Sequence, residues 1–113
     1  MTEDERTHKL YVGCDNVVEV DELKNELTGS YMNSATVTFD VFDSDGVAVS
    51  DAAAVSMSYV AASNGKYQGV LESAVALVEG NFYTVVVSIV QGNIVDQRRW
   101  EALACYRTDE DVT

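Results

Sequence analysis

His8 is the only histidine in the chain, and it stands at the end of the polar opening stretch MTEDERTHK. A hydroxyl or thiol nucleophile needs a base beside it, so one histidine in a frayed end gives a His-dependent hydrolase no machinery. The 19 Asp and Glu residues could in principle do acid–base work. They fall in turn signals and at solvent-facing strand positions, and no apolar pocket that would set one apart as an acid is legible. Cys14 and Cys105 are the only cysteines. With one histidine they fall short of a tetrahedral zinc site. They either pair, if the terminal strands are neighbours, or remain reduced and partly buried, as the absence of a secretory signal favours.

Asp43-Ser44-Asp45-Gly46 matches only the start of a calcium-binding loop. The third liganding position would fall on Val47, and the glycine comes two residues early. With Asp51, these aspartates make at most a weak surface Ca²⁺ site; a hairpin turn is the simpler reading. Gly65-x-x-x-Gly69 lacks the Lys-Ser/Thr of a phosphate loop. Arg98-Arg99-Trp100 offers a contact for an anion or a partner, or else a core tryptophan flanked by arginines that pair with nearby acids. Tyr31, Met32 and Tyr67, with Arg98 and Arg99, are candidate interface residues, the aromatics being equally suited to packing. No cofactor is implied, and no enzyme.

The formal net charge is -12, and residues 31–60 carry four acids (Asp40, Asp43, Asp45, Asp51) with no base. Such a surface repels phosphates, so no nucleic-acid partner is expected; it aids solubility and suits a basic protein partner. No apolar run approaches the roughly 20 residues of a membrane span, and the opening stretch has no apolar core of a signal peptide. The expected location is the cytoplasm of the producing cell, or a particle assembled there.

The elements that must position these residues read as strands. Ala35 to Phe42 alternates, with Ala35, Val37, Phe39 and Val41 on one face. Asp43 to Gly46 turns the chain into Val47–Val49. Val55 to Ala61 alternates again, Ala62 to Gly65 turns, and Lys66 to Leu71 pairs back. Phe82 to Val90 is apolar on both faces, as a central strand should be, and Gln91-Gly92-Asn93 turns it into Ile94–Tyr106. On that last strand Trp100, Ala102, Ala104 and Tyr106 are expected to face inward. KLYVGC and NVVEV are short extended runs around an Asp15-Asn16 turn. Asp21 to Leu27 is a turn or a single helical turn, and Glu72 to Glu79 a crossover with helical potential. The domain expected from this is residues 9–107, between disordered tips at 1–8 and 108–113. It holds about seven to nine short strands with turns about every ten residues, the pattern of a sandwich or barrel. The expected core includes Val37, Phe39, Val41, Val85, Val87 and Trp100.

Leu77-x-x-Gly80-x-x-Tyr83 followed by alternating valines resembles the strand-to-strand corner of immunoglobulin-like and fibronectin III-like sandwiches, in which a tyrosine hydroxyl reaches back to loop backbone. The fold class expected is therefore an all-β, immunoglobulin-like antiparallel β-sandwich. Asn16-Val17-Val18-Glu19-Val20, Leu27 to Asn33 with Ala35-Thr36-Val37, Asn64-Gly65-Lys66-Tyr67, Gly80-x-x-Tyr83-Thr84 and Arg99-Trp100-Glu101 resemble small proteins encoded among the head and tail genes of tailed bacteriophages and prophages. The resemblance covers about Asn16 to Trp100, and the chain departs from it in lacking proline. It implies a non-enzymatic virion component or assembly accessory, docking onto a capsid or tail protein, with self-association possible, made in the host cytoplasm and then carried in the virion. The alternative reading is a small ligand-binding module, for carbohydrate or Ca²⁺, at the loop end near Asp43, Asp45 and Asp51.

Overall fold

Strands form where β-branched and aromatic residues alternate with polar ones, because that pattern buries one face of a pleated ribbon. The computed structural model describes residues 8–25 and 27–107, and these are all-β, with no helix. In chain order the strands are β1 (His8–Tyr11), β2 (Asn16–Val20), β3 (Thr36–Phe42), β4 (Val55–Tyr59), β5 (Tyr67–Leu71), β6 (Phe82–Gln91) and β7 (Ile94–Cys105). The expected tips at 1–8 and 108–113 lie outside the described residues except for His8, which opens β1.

Hydrogen bonding orders the strands β1-β7-β6-β3-β4-β5-β2, one seven-stranded sheet that curls until it is nearly a barrel. β4 turns the corner: Val55–Met57 pair with β3, while Ser58 and Tyr59 pair with β5. The sheet is mixed, which corrects the wholly antiparallel expectation. β1 runs parallel to β7, with His8 opposite Ala102 and Tyr11 opposite Cys105. The reason is topological: β1 lies on the edge of β7, far from it in sequence, and needs no hairpin to reach it.

The core is a single cluster whose fully enclosed side chains include Phe39, Val41, Val85, Val87, Ile89, Ala102 and Ala104. β6 is central, between β3 and β7: Val85 and Val87 face the core, and Val86 on the other face is buried between its cross-strand neighbours Asp40 and Arg99. Trp100 corrects the core expectation. It packs against the cluster as a partly buried residue, with the His8 ring 5.8 Å away, and is not one of the enclosed members. Tyr106, expected to face inward, lies beyond the end of β7 and is 61% exposed.

Met32 and Tyr67 are each only 1% exposed, so neither can serve as an interface anchor. Tyr67 shares the inward face of β5 with Gly69 and Leu71. Its hydroxyl donates to the Met32 carbonyl at 2.7 Å and accepts the Ala35 N–H at 3.0 Å. Met32 is drawn inward with Leu23, whose carbonyl accepts the Met32 N–H at 2.8 Å, and the pair plugs one end of the core. The segment from Asp21 is therefore no helical turn. Lys24 bridges Tyr31, Asn25 caps the intervening turn by accepting the Leu27 N–H, and Leu27 is 83% exposed. The Glu72–Glu79 crossover is also turn structure, with Val75 and Leu77 buried.

Candidate functional site

The curl of the sheet stops short of closure, and the gap lies between its two terminal strands. β1 and β2 are consecutive in the chain, joined by a tight turn in which the Cys14 N–H bonds the Tyr11 carbonyl. They sit at opposite ends of the strand order and are not paired as strands. One side chain spans them where they are closest. The Asn16 carboxamide accepts the Tyr11 N–H at 2.8 Å and donates to the Tyr11 carbonyl at 3.0 Å and the Cys14 carbonyl at 3.1 Å. It thereby supplies Tyr11 with the donor and acceptor that a neighbouring strand would offer. Asn16 is the buried polar residue of the described chain, at 7% exposure, and its burial is balanced by these bonds.

Past Asn16 the strands diverge, and a groove of about 300 Å³ opens between them. His8, Lys9 and Leu10 form one wall, Val17, Val18 and Glu19 the other, and Val85 and Trp100 lie between them. Leu10, Val18 and Val85 belong to the core and are nearly enclosed, so Val17 and Trp100 are the apolar lining that solvent reaches. The His8 and Trp100 rings lie 5.8 Å apart across its end. On β2, Val18 points into the groove while Val17 and Glu19 point outward. The Glu19 carboxylate accepts from Gln68 at 3.0 Å and lies 3.6 Å from the Lys66 ammonium.

A second, smaller hollow of about 180 Å³ lies at the end of the molecule where the β6–β7 hairpin meets the 24–31 turn. Leu27, Ile94 and Val95 line it, with Lys24 and Asp96 at its edge. Val95 is 71% exposed and pairs with Val90 across the hairpin. Tyr31 is surface-exposed here, with the Lys24 ammonium 5.0 Å from its ring centre. Arg98 and Arg99 are both exposed on β7, and Arg98 lies 3.7 Å from Asp96.

The acidic hairpin is built as a turn. Asp43 Oδ1 accepts the N–H groups of Asp45 and Val47, each at 2.9 Å, which closes the loop on itself. Among the described residues no three His, Cys, Asp or Glu side chains are arranged to hold a metal ion, and the set Asp43, Asp45, Asp51 is not brought together as one. Cys14 and Cys105 are free thiols, both partly buried. At the other corner, Tyr83 is 4% exposed and its hydroxyl accepts the Val78 N–H at 2.8 Å. Leu77 is buried beside it, and Gly80 takes a positive φ of 90°.

Comparisons with protein-family models, with curated proteins and with solved structures found no match.

The groove joins residues that the sequence reading assigned elsewhere or passed over. His8 is a wall residue, Asn16 a strand surrogate, and Trp100 a floor. The Asp15-Asn16 turn signal marked the position of Asn16 but not its bridging role, which depends on where β1 lies.

Proposed function

We propose that this chain is an immunoglobulin-like, fibronectin III-like β-sandwich domain acting as a non-enzymatic structural or interaction module, which docks onto a head or tail protein of a bacteriophage or prophage particle. Two features support the sandwich reading: the Tyr83 hydroxyl accepting from loop backbone at Val78, and a β4 that passes from one run of strands to the other. The particle reading draws on the resemblance of the Asn16–Val20, Asn64–Tyr67 and Arg99–Glu101 stretches to the phage family.

The observation that carries the docking role is the unclosed sheet. An apolar groove floored by Trp100 and bounded by two sheet ends is the kind of surface a partner covers. No observation favours the alternative Ca²⁺ or carbohydrate site, since Asp43 is occupied within its own turn.

The test is co-sedimentation of the purified chain with purified particles of the phage or prophage that encodes it. Binding that saturates at a fixed number of copies per particle is expected. Recovery of the chain only in the supernatant, together with metabolic rather than capsid, portal or tail genes beside its own, would overturn the assignment.

A further inference from the structure

β2 is the last strand in the sheet order, hydrogen-bonded to β5 alone, so its other edge faces the groove. The groove floor beyond that edge is apolar, and Trp100 is left partly uncovered there. Asn16 already fills the narrow end by imitating a strand beside Tyr11. A strand laid along the rest of β2 would point alternate side chains into the groove over the partly exposed Trp100 and the others outward beside Val17 and Glu19.

We infer that the seam between β1 and β2 receives an extended segment of a protein partner as an added strand on β2, and that this segment is apolar at alternate positions with Lys or Arg at its ends. The inference rests on the docking role proposed above and specifies its site and partner. Charge complementarity selects the partner. The free edge reads Asp15-Asn16-Val17-Val18-Glu19-Val20-Asp21-Glu22, apolar at its centre and acidic at both ends. Lys66 lies 3.6 Å from Glu19 and Lys9 stands on the facing β1 wall, but on the edge itself no Lys or Arg falls between Asp15 and Glu22. The same pattern opposes a second copy of this chain. Antiparallel pairing of β2 with itself about Val18 would set Asp15 against the other copy's Asp21 at both ends, between molecules that each carry a net charge of -12.

Trp100 is the only tryptophan, so its emission reports the groove directly. The probe is a synthetic peptide of alternating valine and threonine with lysine at both ends, titrated to millimolar concentration into the full chain. Expected are a saturable shift of Trp100 emission to shorter wavelength, reduced quenching by acrylamide, and slowed amide exchange confined to Asn16–Val20. Glu19→Lys, at an exposed position and checked for retained fold by circular dichroism, is expected to weaken this peptide by about tenfold. The same peptide ended in aspartate is expected to leave Trp100 unmoved.

An unresponsive Trp100, equal response to both peptides, or protection appearing at the Leu27–Val95 hollow instead would overturn the inference. So would Trp100 already shielded in the free chain, whether in a stable dimer or by another segment of the same chain. The two proposals fail separately. If wild type and Glu19→Lys co-sediment equally with particles while the peptide leaves Trp100 unmoved, the docking role stands and the seam falls. If the peptide engages Trp100 but the chain ignores particles, the seam stands and the particle assignment falls.

Discussion

Two tyrosines illustrate how a hydroxyl at the end of an apolar ring fixes a loop. Tyr83 and Tyr67 both bury their rings, and each hydroxyl serves backbone groups that would otherwise be left without partners inside the protein. Tyr83 satisfies one such group, the Val78 N–H; Tyr67 satisfies two, the Met32 carbonyl and the Ala35 N–H. A hydrogen bond is worth about 1 kcal/mol net, and an orphaned buried group costs somewhat more. Tyr83→Phe should therefore lower stability by about 1 kcal/mol and Tyr67→Phe by about 2 kcal/mol in urea unfolding. Equal losses, or a reversed order, would contradict this division of roles. The Tyr83 position was legible because its partner lies five residues away, within the Leu77–Tyr83 spacing. The Tyr67 bonds span 32 and 35 residues, and no local pattern announces them. Read by type alone, Tyr67 and Met32 are as suited to an interface as to a core.

At the scale of elements, the alternating strands were the legible part. Thr36–Phe42 buries Val37, Phe39 and Val41 on one face, as its period of two requires. What the pattern could not convey is where a strand loses its cover. Trp100 has the inward parity of Ala102 and Ala104, yet only the latter two are enclosed, and Trp100 lines the groove. Of the two readings open for Asp21 to Leu27, the structure takes the turn and not the helical turn. Leu23 is fully buried and Leu27 stands in solvent, since the chain turns at Asn25 instead of coiling. Close approach between elements makes a sharper demand at Gly65. Its φ is 71°, and an added Cβ would sit 2.6 Å from the Leu23 nitrogen, in a loop held there by the Leu23 N–H to Gly65 carbonyl bond. Gly65→Ala should destabilise by about 3 kcal/mol or more, combining left-handed strain with a backbone collision. Gly46 has an equally positive φ with open space around it, so Gly46→Ala serves as the control and should cost about 1 kcal/mol. Similar melting temperatures for the two variants would show that the 21–24 loop yields to Gly65 at little cost.

Across the whole molecule, charge is the dominant asymmetry. A net charge of -12 on 113 residues means the folded state concentrates like charges that the unfolded chain spreads apart. Salt shortens the screening length to about 10 Å at 0.1 M. Thermal stability should therefore rise between low and moderate concentrations of sodium chloride, and a flat or falling melting temperature would indicate that the paired charges outweigh the repulsion. The fold also has a sequence in time. The groove takes β1 and β2 from the start of the described chain and its tryptophan floor from β7 at the end. During synthesis, β2 can find β5 as soon as both have emerged, whereas β1 has nothing to lie against until Ala102–Cys105 have been made. A nascent chain that has made β2 and β5 but not β7 therefore has the open β2 edge without the Trp100 floor or the β1 wall. The docking proposed at this seam thus needs β7 as well as β2, and a chain that stops short of Trp100 would have only the β2 edge to bind with.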